Sequence, residues 1–294
     1  MRKTLDQSVV WLCGIATALI LVMLTIILAN IAWHGTERLS WSFLSEAPKN
    51  GMTEGGIFPA IYGTVLLVLL MSLAAVPFGV VVAIYFAEYA RRDSWFYRTT
   101  RMAVNNLAGV PSIVFGLFGL GFFVLGVGKT LDSTLYGGKL VFGQPALIWG
   151  AATMAVLTLP VVIITVEETL RAVPREYREA SLALGATRLQ TIVRVVLPQS
   201  WSGVMTGAIL AVSRGAGEVA PVLFTGAAYF LPRLPTHPND QFMQLGYHIW
   251  VLATQSPNVE ETRPLLYATV FVLLVLTFLL NVTAMVIRRR IRHG

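Results

Sequence analysis

Charged side chains are scarce in this sequence: 13% of its 294 residues are Asp, Glu, Lys or Arg, against the roughly 25% of a soluble globular domain, while 55% are apolar. A soluble core does not call for so much apolar material, and too little charge is left to cover it. Cysteine occurs once, as Cys13 in the first apolar run, which excludes an internal disulfide and a cysteine-based zinc site and leaves a small packing residue. The four histidines, His34, His237, His248 and His293, lack metal-ligand spacing, and no nucleophile motif is present. A nucleotide-binding phosphate loop is missing too. Gly128-Lys129-Thr130 ends like one, but Phe123 stands where the first glycine is needed and no strand precedes it. Asn281-Val282-Thr283 fits a glycosylation pattern but lies within an apolar run. An autonomous enzyme finds no support in these residues.

Long apolar runs are what the chain has in abundance. A bilayer core about 30 Å thick takes roughly 20 apolar residues of helix, because a helix satisfies its own backbone where water cannot. Six runs qualify: 9–33, 61–87, 102–128, 140–166, 202–230 and 265–287. Five carry no charge; the fifth carries Arg214 and Glu218. The first run is near 25 residues, too long for the 7 to 15 of a signal-peptide core. Arg2 and Lys3, four arginines at 91–101, five at 171–194 and four at 288–292 place fifteen cations on one face, and the opposite loops hold six. By the positive-inside rule both termini are expected in the cytoplasm. The net charge of +7 therefore reads as membrane orientation and not as a nucleic-acid surface.

The longest cytoplasmic connection, 167–199, reads as two short helices. Pro174 suits a helix start, Glu176 a first turn, and Gly185 a left-handed cap. Thr187 and Gln190 make a capping box for a second helix expected to stop near Pro198. Within this loop Glu179-Ala180-Ser181, Gly185 and Val195-Val196-Leu197-Pro198 resemble the EAA signature of ABC-importer permeases, with Ser181 in place of an alanine and Val195 in place of an isoleucine. The resemblance implies that Glu179, Ala180, Ser181, Gly185, Leu197 and Pro198 belong to a loop docking into an ATPase. An ordinary amphipathic loop helix is the plainer reading of the same residues.

In the fifth run Arg214 and Glu218 are four apart and are expected to pair on one helix face. Ionisable residues inside a membrane are candidates for a solute path; a salt bridge that fixes helix packing is the alternative. Gly203, Gly207, Ala211 and Gly215 form a stripe suited to close packing. Residues 211–225, reading Ala-Val-Ser-Arg-Gly-Ala-Gly-Glu-Val-Ala-Pro-Val-Leu-Phe-Thr, resemble the fifth span of the PstA family of phosphate-import permeases, with Val219 for threonine and Val222 for leucine. Gly55-Gly56, Pro59-Ala60-Ile61, Gly63-Thr64, Ala87-Glu88-Tyr89 and Pro111-Ser112-Ile113-Val114 are similar as well.

That resemblance implies an all-α membrane protein with six transmembrane helices in the type I ABC importer permease (MetI-like) fold. Residues 1–60 would hold the amino-terminal tail, first span and first outer loop, 61–287 a five-helix core, and 288–294 a cytoplasmic tail. It implies a bacterial inner-membrane complex with a homologous PstC-like permease, two PstB-like ATPase subunits that bind the ATP, and a PstS-like phosphate-binding protein. This chain would bind no cofactor. Arg214 and Glu218 match the family's intramembrane charges. A permease for another oxyanion or an organic solute would share the docking loop. A secondary transporter or channel would instead show inverted repeats or paired broken helices, and a regulatory membrane component is a third reading. Pro77, Pro111, Pro160 and Pro221 mark either gates or ordinary kinks.

Overall fold

The computed structural model describes residues 2–52, 54–256 and 259–293. Met1, Gly294 and the side chains of Arg2, Lys3, Arg292 and His293 lie outside the described set. The elements that matter for function are α1 (Arg2–Thr36), α2 (Phe58–Tyr89), α3 (Trp95–Leu107), α4 (Ser112–Leu135), α5 (Leu147–Ala172), α6 (Arg175–Ala183) and α7 (Arg188–Gln199). They continue with α8 (Trp201–Gly217), α9 (Ala220–Thr225), α10 (Leu245–Thr254) and α11 (Val259–His293). Helices α1, α2, α4, α5 and α11 are each long and apolar enough to cross a membrane, and the bent pair of α7 and α8 brings the candidate spans to six.

Three spans differ from the sequence expectation. The run 102–128 is not one helix: α3 stops at Leu107, and the span begins at Ser112, after Pro111. Proline has no N–H to continue the ladder and its ring pushes the residue before it out of the helical region. The run 140–166 loses its first turns, because the Asp132 carboxylate collects the backbone N–H groups of Val141, Phe142 and Gly143 and holds them in a loop. Its other end runs on to Ala172, carrying Glu167 and Glu168 inside the helix. The run 202–230 breaks after Gly217 and resumes as the short α9, with Pro221 in its first turn.

The core forms where α2 packs along α5 and both meet α8, while α11 closes over α8 and α10. Leu67, Met71, Leu147, Met154, Ala216 and Phe242 are buried at its centre. The small-residue stripe explains the closeness of the contacts. A Cβ on Gly203 would run into Oγ1, Cβ and Cγ2 of Thr169, so a larger residue there forces α8 and α5 apart, and one on Gly215 would meet the end of the Met71 side chain at 2.5 Å. Helix α1 packs substantially only on α11, and its apolar residues are exposed along its length. It stands beside the core as a flanking helix with its apolar surface left for lipid.

Candidate functional site

Two places combine exposure with chemistry: the hairpin of α6 and α7, and the break between α8 and α9. The hairpin forms as its residues dictate. Pro174 precedes the first turn of α6 with φ −56°, and Glu176 sits in that turn. Gly185 takes φ +85°, a conformation that favours glycine, and reverses the chain. Thr187 and Gln190 close a reciprocal capping box at the start of α7. The Ser181 and Thr191 hydroxyls lie 2.9 Å apart and tie the two helices together, so Ser181 is used inside the hairpin. Helix α7 ends at Gln199, next to Pro198 as expected, and then bends by 66° into α8.

The hairpin presents apolar side chains with no partner. Leu184 is 89% exposed, and Leu182 and Leu189 stand open beside it. Glu179 and Ala180 are exposed, and Pro198 lines a shallow recess with Val193, Leu197 and Trp201. Glu179 also borders a crevice of about 360 Å³ with Glu88, Arg92, Arg171, Arg175 and Arg178. Single exposed leucines are ordinary, but a cluster on a charged loop has the character of an interaction surface.

Sequence reasoning missed the ion network under this hairpin. Glu167, only 2% exposed, accepts from Arg101 of α3 and forms a second ion pair with Arg171 at 2.7 Å. Arg171 in turn donates to the Tyr97 hydroxyl and to the Phe86 carbonyl. Glu88 accepts from Arg178 of α6 at 2.7 Å through Nη2 and 3.1 Å through Nε. The signal was present as charges at the edges of apolar runs; Arg171 is four residues from Glu167, but the pairings with Arg101 and of Glu88 with Arg178 span 66 and 90 residues.

At the break, Arg214 and Glu218 come together differently from the expectation. Arg214 is in the last turn of α8, whereas Glu218 lies just beyond it in extended backbone with ψ 132°. Arg214 Nε stands 3.7 Å from Glu218 Oε1, an ion pair without a hydrogen bond, and that buried nitrogen has no hydrogen-bond partner among the described residues. The side chains are 36% and 24% exposed. Gln244, buried ahead of α10, accepts from the Tyr247 N–H and donates to the Glu218 carbonyl, holding the break in place. Ser213 donates to Asn281 of α11, which places that asparagine inside the protein and removes it from glycosylation. Arg214 is about 20 Å along α8 from its first residue, a distance shorter than the roughly 30 Å of a bilayer core. Gly128-Lys129-Thr130 lies within continuous helix, so no phosphate loop forms there.

Residues 75–293 match the family described as binding-protein-dependent transport system inner membrane component. The chain is 32% identical to the phosphate transport system permease protein PstA 1 of Mycobacterium tuberculosis, over 98% of this chain and 90% of the relative. It is 34% identical to the phosphate transport system permease protein PstA of Yersinia pestis, over 91% and 84%. A solved bacterial ABC transporter involved in the import of the acidic polysaccharide alginate aligns over 99% of both chains with a TM-score of 0.65 at 14% identity, a likeness of fold.

Proposed function

Because this chain belongs to the binding-protein-dependent transport system inner membrane components, and within them to the PstA permeases, we propose that it forms half of the membrane pathway of an ATP-driven phosphate importer. It is a multi-pass inner-membrane transport permease and not an enzyme. The observation that carries the reading is the half-exposed Arg214–Glu218 pair at the break in the fifth span, in a chain like phosphate permeases from end to end. A charge at the bilayer centre costs at least about 2.5 to 3.5 kcal/mol on insertion scales, so this face does not rest against lipid. A homologous PstC-like permease across the face would complete a polar path.

In that path Arg214 lowers the barrier to an entering oxyanion. Glu218, at 3.7 Å, keeps the arginine partly neutralised so that the anion is not trapped. Conduction needs this balance of entry and release. The α6–α7 hairpin, with its exposed Leu184 and Glu179, is the surface for one of the two PstB-like ATPase subunits, which bind and hydrolyse the ATP. Both termini lie in the cytoplasm, and a PstS-like binding protein delivers phosphate to the opposite face.

The test is uptake of labelled phosphate by proteoliposomes holding the whole complex. Uptake that requires ATP and the binding protein, and that unlabelled phosphate but not sulfate competes away, is the expected result. ATP-dependent uptake of a different solute with none of phosphate would overturn the substrate assignment, and uptake without ATP would overturn the importer class.

A further inference from the structure

The hairpin is joined to the transmembrane core by both ends of its chain and by one side chain. The chain itself leads from α6 through the Gly185 turn and α7, then around the 66° bend at Ser200 into α8. A glycine turn and a bend absorb displacement. At its other end the chain passes directly from α5 into α6 through Val173 and Pro174, and beside that link lies the side chain of Arg178, every nitrogen of which is engaged. Nε and Nη2 bind the Glu88 carboxylate at the end of α2. Nη1 and Nη2 also donate to the Val173 and Leu170 carbonyls at 2.6 and 2.7 Å, capping the end of α5. The planar guanidinium fixes direction as well as distance, which a lysine would not.

From this structure we infer that Glu88 and Arg178 form a strut that delivers displacement of the docking helix α6 to α2 and α5 together. Neither residue touches the solute; both are positioning residues. Beyond the strut the contacts are close and stiff. Gly79 of α2 meets Val162 of α5, Gly203 and Gly207 of α8 meet Thr169 and Val166, and Gly215 meets Met71. Gly215 is the neighbour of Arg214, so this series of close contacts ends beside the charged pair. Glu167, Arg101 and Arg171 clamp α3 to the same block. The inference rests on reading α6 as the docking element of an ATPase.

The decisive experiment measures phosphate imported per ATP hydrolysed by the reconstituted complex. In Glu88→Gln, ATP hydrolysis stays within about twofold of the unaltered complex while the ratio falls about tenfold, the scale on which contacts along a coupling route act. In a Cys13→Ser background, Glu88→Cys with Arg178→Cys is equally uncoupled, and a short bismaleimide joining the two restores the ratio. An unchanged ratio, a proportional fall of hydrolysis and import, or no restoration on cross-linking would overturn the strut. Spin labels at Arg92 and Tyr177 read the same relation without any cargo. Their separation holds on ATP binding in the unaltered chain and broadens in Glu88→Gln, whereas a change in the unaltered chain contradicts the strut. A complex that hydrolyses ATP yet imports no phosphate contradicts the phosphate reading, and the labels still decide the strut.

Discussion

Arg214 and Glu218 show how a single charged pair can be visible in a sequence while its geometry is not. The two charges stand out because every other apolar run lacks them, and their spacing of four suggests one helix face. The helix ends between them, at Gly217, so the carboxylate reaches back from extended backbone to 3.7 Å. What sets that geometry is Gln244, a residue in the 231–244 loop that no local pattern singles out. His248 is a second such residue. It is buried in α10, neither ring nitrogen has a hydrogen-bond partner among the described residues, and burial pushes its imidazole down from the usual 6.5 to about 4. The neutral ring is favoured in the folded chain, so its contribution to stability is fully present above about pH 6.5 and is lost as pH falls toward 4. That interval corresponds to about 3 kcal/mol. The thermal midpoint of the purified complex should fall across this window, and His248→Leu should flatten the dependence; an equal slope in both proteins would assign the sensitivity elsewhere.

At the scale of elements, local chemistry was legible and long-range contact was not. The capping box, the Gly185 reversal and the start of α6 follow from residues within a few positions of one another. Apolar runs found the spans, but hydrophobicity does not see Pro111 ending one helix and starting another, or a carboxylate at Asp132 gathering three amides into a loop. The small-residue stripe on α8 was correctly read as a packing face. Gly203→Ala forces the added methyl against Thr169 and should lower the stability of the complex by about 1 to 3 kcal/mol, read as a drop in thermal midpoint. Gly14→Ala is the control, because nothing lies within 4 Å of its added carbon. Thr187→Ala removes the cap of α7 and should cost about 1 kcal/mol there, seen as faster amide exchange in the first turn of α7 alone. Equal exchange throughout the hairpin in both proteins would show that the cap carries no such weight.

For the whole molecule, the charge distribution across the spans predicts sidedness. In a Cys13→Ser background, a cysteine at Arg92 should react with an impermeant maleimide only from the cytoplasmic side, and one at Lys139 only from the other; the reverse pattern would invert the topology. A flanking α1 beside a core of α2, α4, α5, the bent α7–α8 pair and α11 accounts for the fold shared with an alginate importer at 14% identity. Sharing a fold does not carry substrate, and the proposed path for the anion rests on one polar pair. The most direct test is therefore phosphate uptake by the assembled complex bearing Arg214→Gln, with ATP hydrolysis and subunit composition measured in the same preparation. Loss of at least about tenfold in uptake, the effect of removing a charge at a pathway constriction, with all subunits retained, is the predicted result. Uptake equal to that of the unaltered complex would contradict a path past Arg214.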